Sequence, residues 1–390
     1  MLARGLRDAG HDVAILAYFG VEGARLDWEG IPVFPRSRHP ASQDWMVPLA
    51  RQLQADAVIS VTDAWVIEPH RFRGTEIAYV PWFPCDGEPM DAENARGIAG
   101  PGPAVRLPIA TSEHARAMAA EHKIDARVIP YMVDTATYCP GDRLAARTDW
   151  GIPESAFVVG MVAMNKRAGG SGIDRKRFFE QLGAFARLRE KHDDAILYLH
   201  THTIAPDGVD MKAVLDYWKI PGEAVMFTQG AMLTIGTPAP LMAELYRAFD
   251  VFLGVSGGEG AGVPLLEASA CGVPCVWGEW TAMPEYAKAG WSVTRDEAQP
   301  SMNAANCIWW TPRIEAIADR LERAYDASAA ERKRLAIAAE DGAERHDPTR
   351  VVPELWLPAL QDVERKRAAL HEVQEIEVPA ELRGAAGVAA

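Results

Sequence analysis

From Val158 onward the chain alternates short apolar runs with helical patterns. Strands are expected at 158–164, 195–201, 225–229, 251–256 and 273–278, with helices near 176–191, 209–218, 240–249 and 264–271. Such alternation is the signature of βαβ units, whose right-handed crossovers place helices on both faces of a parallel sheet. The first 135 residues give a weaker version, with strands at Val13–Phe19, Ile31–Phe34, Ala57–Val61, Glu76–Val80, Ile109–Thr111 and Arg127–Ile129. A length of 390 residues exceeds one ordinary core. The expectation is an α/β protein of two doubly wound, Rossmann-like domains facing a cleft.

The turn-rich stretch Asp134–Asp142, with Pro140 and Gly141, marks the hinge. We expect a first domain at 1–135, a second at 136–345, a helix at 346–372 returning to the first domain, and a disordered tail at 373–390. The chain opens directly in a helix, so the first strand usual in such a domain is missing from the sequence.

Charge and composition narrow the partners. A net charge of −14 disfavours nucleic acid, because phosphate backbones need a broad basic surface. No apolar run is long enough for a membrane span. Met1–Gly10 carries Arg4, Arg7 and Asp8 without a secretory h-region, so a cytoplasmic protein is expected. Cys85, Cys139, Cys271, Cys275 and Cys307 are scattered and form no CxxC pair, which argues against a disulfide framework or a structural zinc site.

The strongest local signal runs from Val251 to Trp277 and parses as strand, glycine loop, helix, stop and strand. Pro264 suits the first helical turn and Gly272 the left-handed position beyond the helix end. A glycine loop entering a helix offers backbone N–H groups at the positive end of the helix dipole, where a diphosphate can sit. Glu259 lies in the loop and Glu267 in about the first turn, so both carboxylates are expected to face one pocket. Carboxylates accept hydrogen bonds from sugar hydroxyls, each worth about 1.5–3 kcal/mol. The plainer reading is a tight turn followed by an acidic residue that favours a helix start. No lysine follows a glycine as a P-loop requires, and the loop does not fit GxGxxG.

Glu259-Gly-Ala-Gly-Val-Pro-Leu-Leu-Glu267 resembles the E-x7-E motif of retaining family 4 glycosyltransferases, and Ala268, Ala270, Cys271, Gly272, Pro274 and Val276 extend the match. Ala261 departs from it where an aromatic is usual. Arg127–Thr135, Leu245–Val251 and Arg345-His-Asp-Pro resemble further stretches of that family in the same order, over roughly 110–360. The resemblance implies a GT-B fold and transfer of a sugar from a nucleotide-diphosphate donor to an unidentified acceptor, with retention at the anomeric carbon and no cofactor or metal. It implies that Glu267 binds the ribose hydroxyls and Glu259 the donor sugar. Gly260, Gly262 and Val263 would line the donor, while Lys176 and Arg175 neutralise the departing diphosphate. Asn165 or Lys166 stands where the family places an arginine, followed by an enlarged loop, Arg167–Asp174. The bland view of Arg175-Lys176-Arg177 is a solvated surface, but basic residues at a helix start oppose its dipole.

Weaker signals remain. His200-Thr-His202 ends a strand, and His200 is a candidate for the donor pocket's wall, since ligands bind at parallel strand ends. Asp86 or Glu88, in the proline- and aromatic-rich loop 80–89, is a candidate for seating an acceptor hydroxyl. Alternatives on the same fold are a nucleotide-sugar epimerase, a sugar phosphorylase, and a non-catalytic binding module.

Overall fold

The computed structural model describes residues 1–18, 20–166, 173–205 and 207–374. Part of the enlarged loop, 167–172, and most of the expected tail lie outside the described residues.

The N-terminal half contains two small sheets. β1 (Ile15–Leu16), β2 (Leu26–Trp28) and β3 (Ile31–Phe34) pair in the order β1-β3-β2. β4 (Ala57–Val61), β5 (Ala78–Phe83), β6 (Ile109–Ala110) and β7 (Arg127–Val128) form a parallel sheet in that order. All six residues of β5 are buried, as befits a central parallel strand covered on both faces.

The C-terminal half is one six-stranded parallel sheet. Its strands are β8 (Phe157–Val162), β9 (Ala195–His200), β10 (Val225–Phe227), β11 (Val251–Gly254), β12 (Cys275–Gly278) and β13 (Gly290–Val293). The order β10-β9-β8-β11-β12-β13 is the 3-2-1-4-5-6 arrangement of dinucleotide-binding folds. The strand order reverses between the parallel neighbours β8 and β11, and the crevice outside their carboxyl ends is where such folds hold ligands. A hairpin of β14 (Ala298–Met302) and β15 (Ile308–Pro312), not anticipated from the sequence, packs on the glycine loop, where the Trp310 N–H donates to the Gly257 carbonyl at 2.8 Å.

A buried ion pair anchors this half. The Arg147 guanidinium donates to Asp250 Oδ2 at 2.7 Å, with side chains 3% and 5% exposed, and the Val158 N–H donates to the same oxygen at 2.8 Å.

After Pro348 the chain turns back onto the first half and continues as the helix Leu357–Gln374. Trp356 is fully buried edge-to-face against Trp82, ring centroids 4.9 Å apart, among Leu6, Ile129 and Val363. The halves also meet around the glycine loop. Thr111 Oγ1 donates to the Gly260 carbonyl (2.9 Å), the Tyr286 hydroxyl to the Thr111 carbonyl (2.7 Å), and Glu285 accepts from the Glu113 and His114 N–H groups.

Candidate active site

An open concave site lies at the topological switch point. Its walls come from the end of β8 (Met161–Ala163), the end of β11 (Leu253, Gly254, Ser256), the start of the next helix (Gly262, Pro264, Leu265), and Lys176, Gln181 and Glu259.

The helix Val263–Ala270 begins where Gly262 adopts φ +81° as its N-cap. A non-glycine residue would be strained there, so this glycine sets the angle at which the loop enters the helix. Pro264 sits in the first turn and Gly272 follows the helix end with φ +73°. Gly258 and Gly260 have a different role from the anion approach expected of them. A Cβ on Gly258 would meet the Asp86 carbonyl oxygen at 2.0 Å, and one on Gly260 would meet Pro84 Cβ at 2.3 Å. They let the loop pack against the opposite domain.

Glu259 is the electrostatic centre. Lys176 Nζ lies 2.5 Å from its Oε1 and Arg175 Nη1 2.9 Å from its Oε2. The Ser256 hydroxyl also donates to Oε1 (2.5 Å), and the Glu259 N–H donates to Thr281 Oγ1 (3.0 Å). Burial opposes its charge, but Lys176 and then Arg175 outweigh burial and hold the carboxyl down at about 2. Arg175 also donates to the Gly258 carbonyl (2.7 Å), and its Nε lies 3.5 Å from Asp86 Oδ2 on the facing domain.

The basic pair is built locally and braced from a distance. Asp174 accepts from the Lys176 and Phe178 N–H groups, so it caps the turn ahead of the helix Phe178–Arg189. Gln181, fully buried, donates to the Lys176 carbonyl (2.6 Å) and accepts from the Val255 N–H (2.9 Å). It thereby ties the basic turn to the strand end that carries the glycine loop. Ser256 and Gln181 were missed by the sequence reading. Only the position of Ser256 at a strand end hinted at either.

Glu267 has partners different from those of Glu259. It is the fifth residue of its helix, one turn past Val263, because the helix starts one residue earlier than the expected position 264. Its Oε2 accepts from the Tyr246 hydroxyl at 2.7 Å, and it is not among the residues lining the cavity around Glu259. Burial raises its carboxyl pKa, against hydrogen bonds from Tyr246 and Tyr138.

The remaining candidates separate. Asn165 is buried and spends its amide on the His202 and Val209 carbonyls and the Val209 N–H, so it braces a loop rather than facing a ligand. Lys166 is exposed. His200 ends β9, with Nδ1 2.8 Å from Thr228 Oγ1, and burial lowers its pKa to about 4. His202 lies past the end of the strand, which stops at His200, and is exposed. Glu88 is paired with Arg295 through both guanidinium Nη atoms, at 3.0 and 2.5 Å.

Solved structures share this architecture along nearly the whole chain. Sucrose-phosphate synthase from Thermosynechococcus elongatus superposes with a TM-score of 0.69 at 16% identity, covering 95% of this chain and 92% of that one. The fold is GT-B. HepE from Anabaena, solved with UDP-glucose, has the same GT-B architecture (TM-score 0.62, 16% identity, 87% and 86% covered). Residues 173–325 match the family model described as "Glycosyl transferases group 1". D-inositol 3-phosphate glycosyltransferase of Geodermatophilus obscurus is 31% identical over 181 residues, 44% of this chain and 37% of that protein. N-acetyl-alpha-D-glucosaminyl L-malate synthase of Bacillus anthracis is 25% identical over 166 residues, 43% and 39% covered. The chain thus spans well under half the length of these curated relatives.

Proposed function

We propose that the chain is a glycosyltransferase that moves a sugar from a nucleotide-diphosphate sugar to an acceptor, with retention of anomeric configuration. The observation that carries this reading is the convergence of Lys176 and Arg175 on Glu259 beside the N-terminus of the helix Val263–Ala270. A diphosphate seated at that helix start meets two cations and free backbone N–H groups, while the sugar it carries meets an ionised carboxylate.

In this reading Lys176 and Arg175 stabilise the negative charge that develops as the diphosphate departs, which is the largest catalytic term in many enzymes. Gly262 and Val263 offer backbone N–H groups to the phosphates. Glu267, held by Tyr246, takes the ribose hydroxyls one helical turn deeper. Glu259 orients the donor sugar and does not attack it; the acceptor hydroxyl enters on the leaving-group face and passes its proton to the departing phosphate. The division at 135/136 assigns the donor to the C-terminal domain and the acceptor to the N-terminal one, and no metal is required.

The test is a thermal-shift panel of UDP, GDP, ADP, dTDP and CMP on wild type and Glu267→Ala. UDP leads the panel because HepE was solved with UDP-glucose. A nucleotide at a hundred times its Kd adds about 2.7 kcal/mol of stability. We expect one nucleotide to stabilise wild type strongly and the variant weakly. No shift with any nucleotide would sink the reading, and turnover of the nucleotide sugar to an isomer without acceptor would replace it with epimerisation.

A further inference from the structure

Resting on the glycosyltransferase reading, we propose that the acceptor is a neutral polyhydroxylated molecule, a sugar or polyol without phosphate or carboxylate, held by Asp63, Trp65 and Asp86.

The argument starts from the sheet edge that faces the donor cavity. β4 and β5 are parallel neighbours with Val61 opposite Trp82, so the loops that follow them leave the sheet side by side at the same edge. The first loop carries Asp63 and Trp65; the second carries Asp86. Asp86 is fixed opposite the donor site, because its Oδ2 lies 3.5 Å from Arg175 Nε while the same guanidinium bonds Glu259 at 2.9 Å. A hydroxyl that reaches a sugar held by Glu259 from the facing domain therefore passes this carboxylate. Its backbone is equally constrained, packed against Gly258 closely enough to exclude a Cβ there.

Asp63 adds a second carboxylate beside the first. Neighbouring protein desolvates it and the Asp86 charge adds to that, so its pKa rises; Arg175 and a hydrogen bond from Trp65 pull the other way. Trp65 is 55% exposed although it is the kind of side chain a fold normally buries. Its backbone is nonetheless pinned, with its N–H donating to Asn94 Oδ1 at 3.1 Å and the Ala64 carbonyl tight against Gly97. A rigid, exposed indole beside two hydroxyl-accepting carboxylates suits the apolar face and polar rim of a pyranose or cyclitol. An anionic acceptor would bring like charge up to Asp63, which already sits beside the Asp86 carboxylate, whereas Arg175 is engaged by Asp86 and Glu259. The names of both curated relatives carry an anion, inositol 3-phosphate and L-malate. This chain is inferred to differ.

The experiment uses the full chain and the nucleotide sugar of whichever base the thermal-shift panel selects. Transfer is measured to matched pairs: glucose and glucose 6-phosphate, mannose and mannose 6-phosphate, inositol and inositol 3-phosphate. At least one neutral member should exceed its phosphate ester by tenfold or more in kcat/KM. Asp63→Asn and Trp65→Ala should each raise the acceptor KM at least tenfold while the KM for the nucleotide sugar stays within twofold. Asp63→Lys should shift the neutral-to-phosphate preference at least tenfold toward the ester. The proposal is overturned if no neutral member exceeds its ester, including the case of no transfer to either, or if the acceptor KM is unmoved in both variants. Nucleotide binding in the thermal-shift panel separates these outcomes from failure of the glycosyltransferase reading, in which no nucleotide binds.

Discussion

The two halves of this molecule solve the same architectural problem with unequal resources. The C-terminal half sets six parallel strands in one sheet over one large core that runs from Val133 to Ala343, with a small satellite cluster at Ala289, Leu335 and Ala339, and it carries the buried Arg147–Asp250 pair. The N-terminal half divides its strands between two sheets and its apolar residues among three smaller cores, one of which is completed by Trp356 and Val363 from the far end of the chain. Its ion pairs are mostly exposed, as between Arg36 and Glu22, with side chains 45% and 67% accessible. One half is a rigid floor for the cluster around Glu259. The other presents loops on a lighter frame, where acceptor contacts can differ between proteins without disturbing the donor site.

The comparison breaks most visibly if the buried pair is cut. Asp250→Ala leaves Arg147 charged and unpaired in the interior, and we expect a loss of about 3–5 kcal/mol in urea unfolding. A loss below 1 kcal/mol would mean that the C-terminal core does not depend on this anchor.

Next in size is Glu259→Gln, which keeps the shape and removes the charge between Lys176 and Arg175. Turnover should fall roughly 100- to 1000-fold, the range seen when one preorganised electrostatic contact is removed. Nucleotide affinity should change far less, and an equal fall in both would recast Glu259 as a binding residue only.

The seam between the halves should show in acid. His346 Nδ1 donates to the Tyr131 carbonyl (2.9 Å), and burial, then the Lys288 charge, lowers its pKa from 6.5 to about 4. The folded value lies below the unfolded one, so the unfolded chain takes up the proton first as pH falls. Stability is therefore lost from about pH 6.5 down to about 4, by on the order of 3 kcal/mol in total. Urea midpoints of wild type and His346→Asn at pH 7 and 4.5 should converge at the lower pH; parallel midpoints would locate the acid sensitivity elsewhere.

The smallest effect is assigned to the N-terminal surface. Arg36→Ala should cost less than about 1 kcal/mol, because an exposed pair gains little in high dielectric. A larger loss would show the N-terminal half to be more tightly coupled than its divided cores suggest.

What could be read from the sequence was local or periodic. The βαβ alternation gave the α/β class, and Pro264 and Gly272 marked the ends of one helix because each position has a backbone demand that few residues meet. Helix spacing could not say how Glu267 sits relative to Glu259, because the two are joined by a loop whose path the helical period does not describe. The hairpin β14–β15 escaped notice because β14 is polar and contains Pro300, and the short apolar run Ile308–Trp310 of β15 shows no strand period by itself.

By itself the sequence determined the fold class, the glycine-loop helix and the residue types that meet there, since these follow from short-range steric and hydrophobic patterning. Tertiary structure alone decided the partnerships. Lys176 reaches Glu259 across 83 positions and Arg295 reaches Glu88 across 207. It also gave Gly258 and Gly260 their role as packing surfaces and brought Asp63 and Asp86 to one edge of the cleft. Charge pairing and close backbone approach depend on distance in space, and separation along the chain carries no record of it.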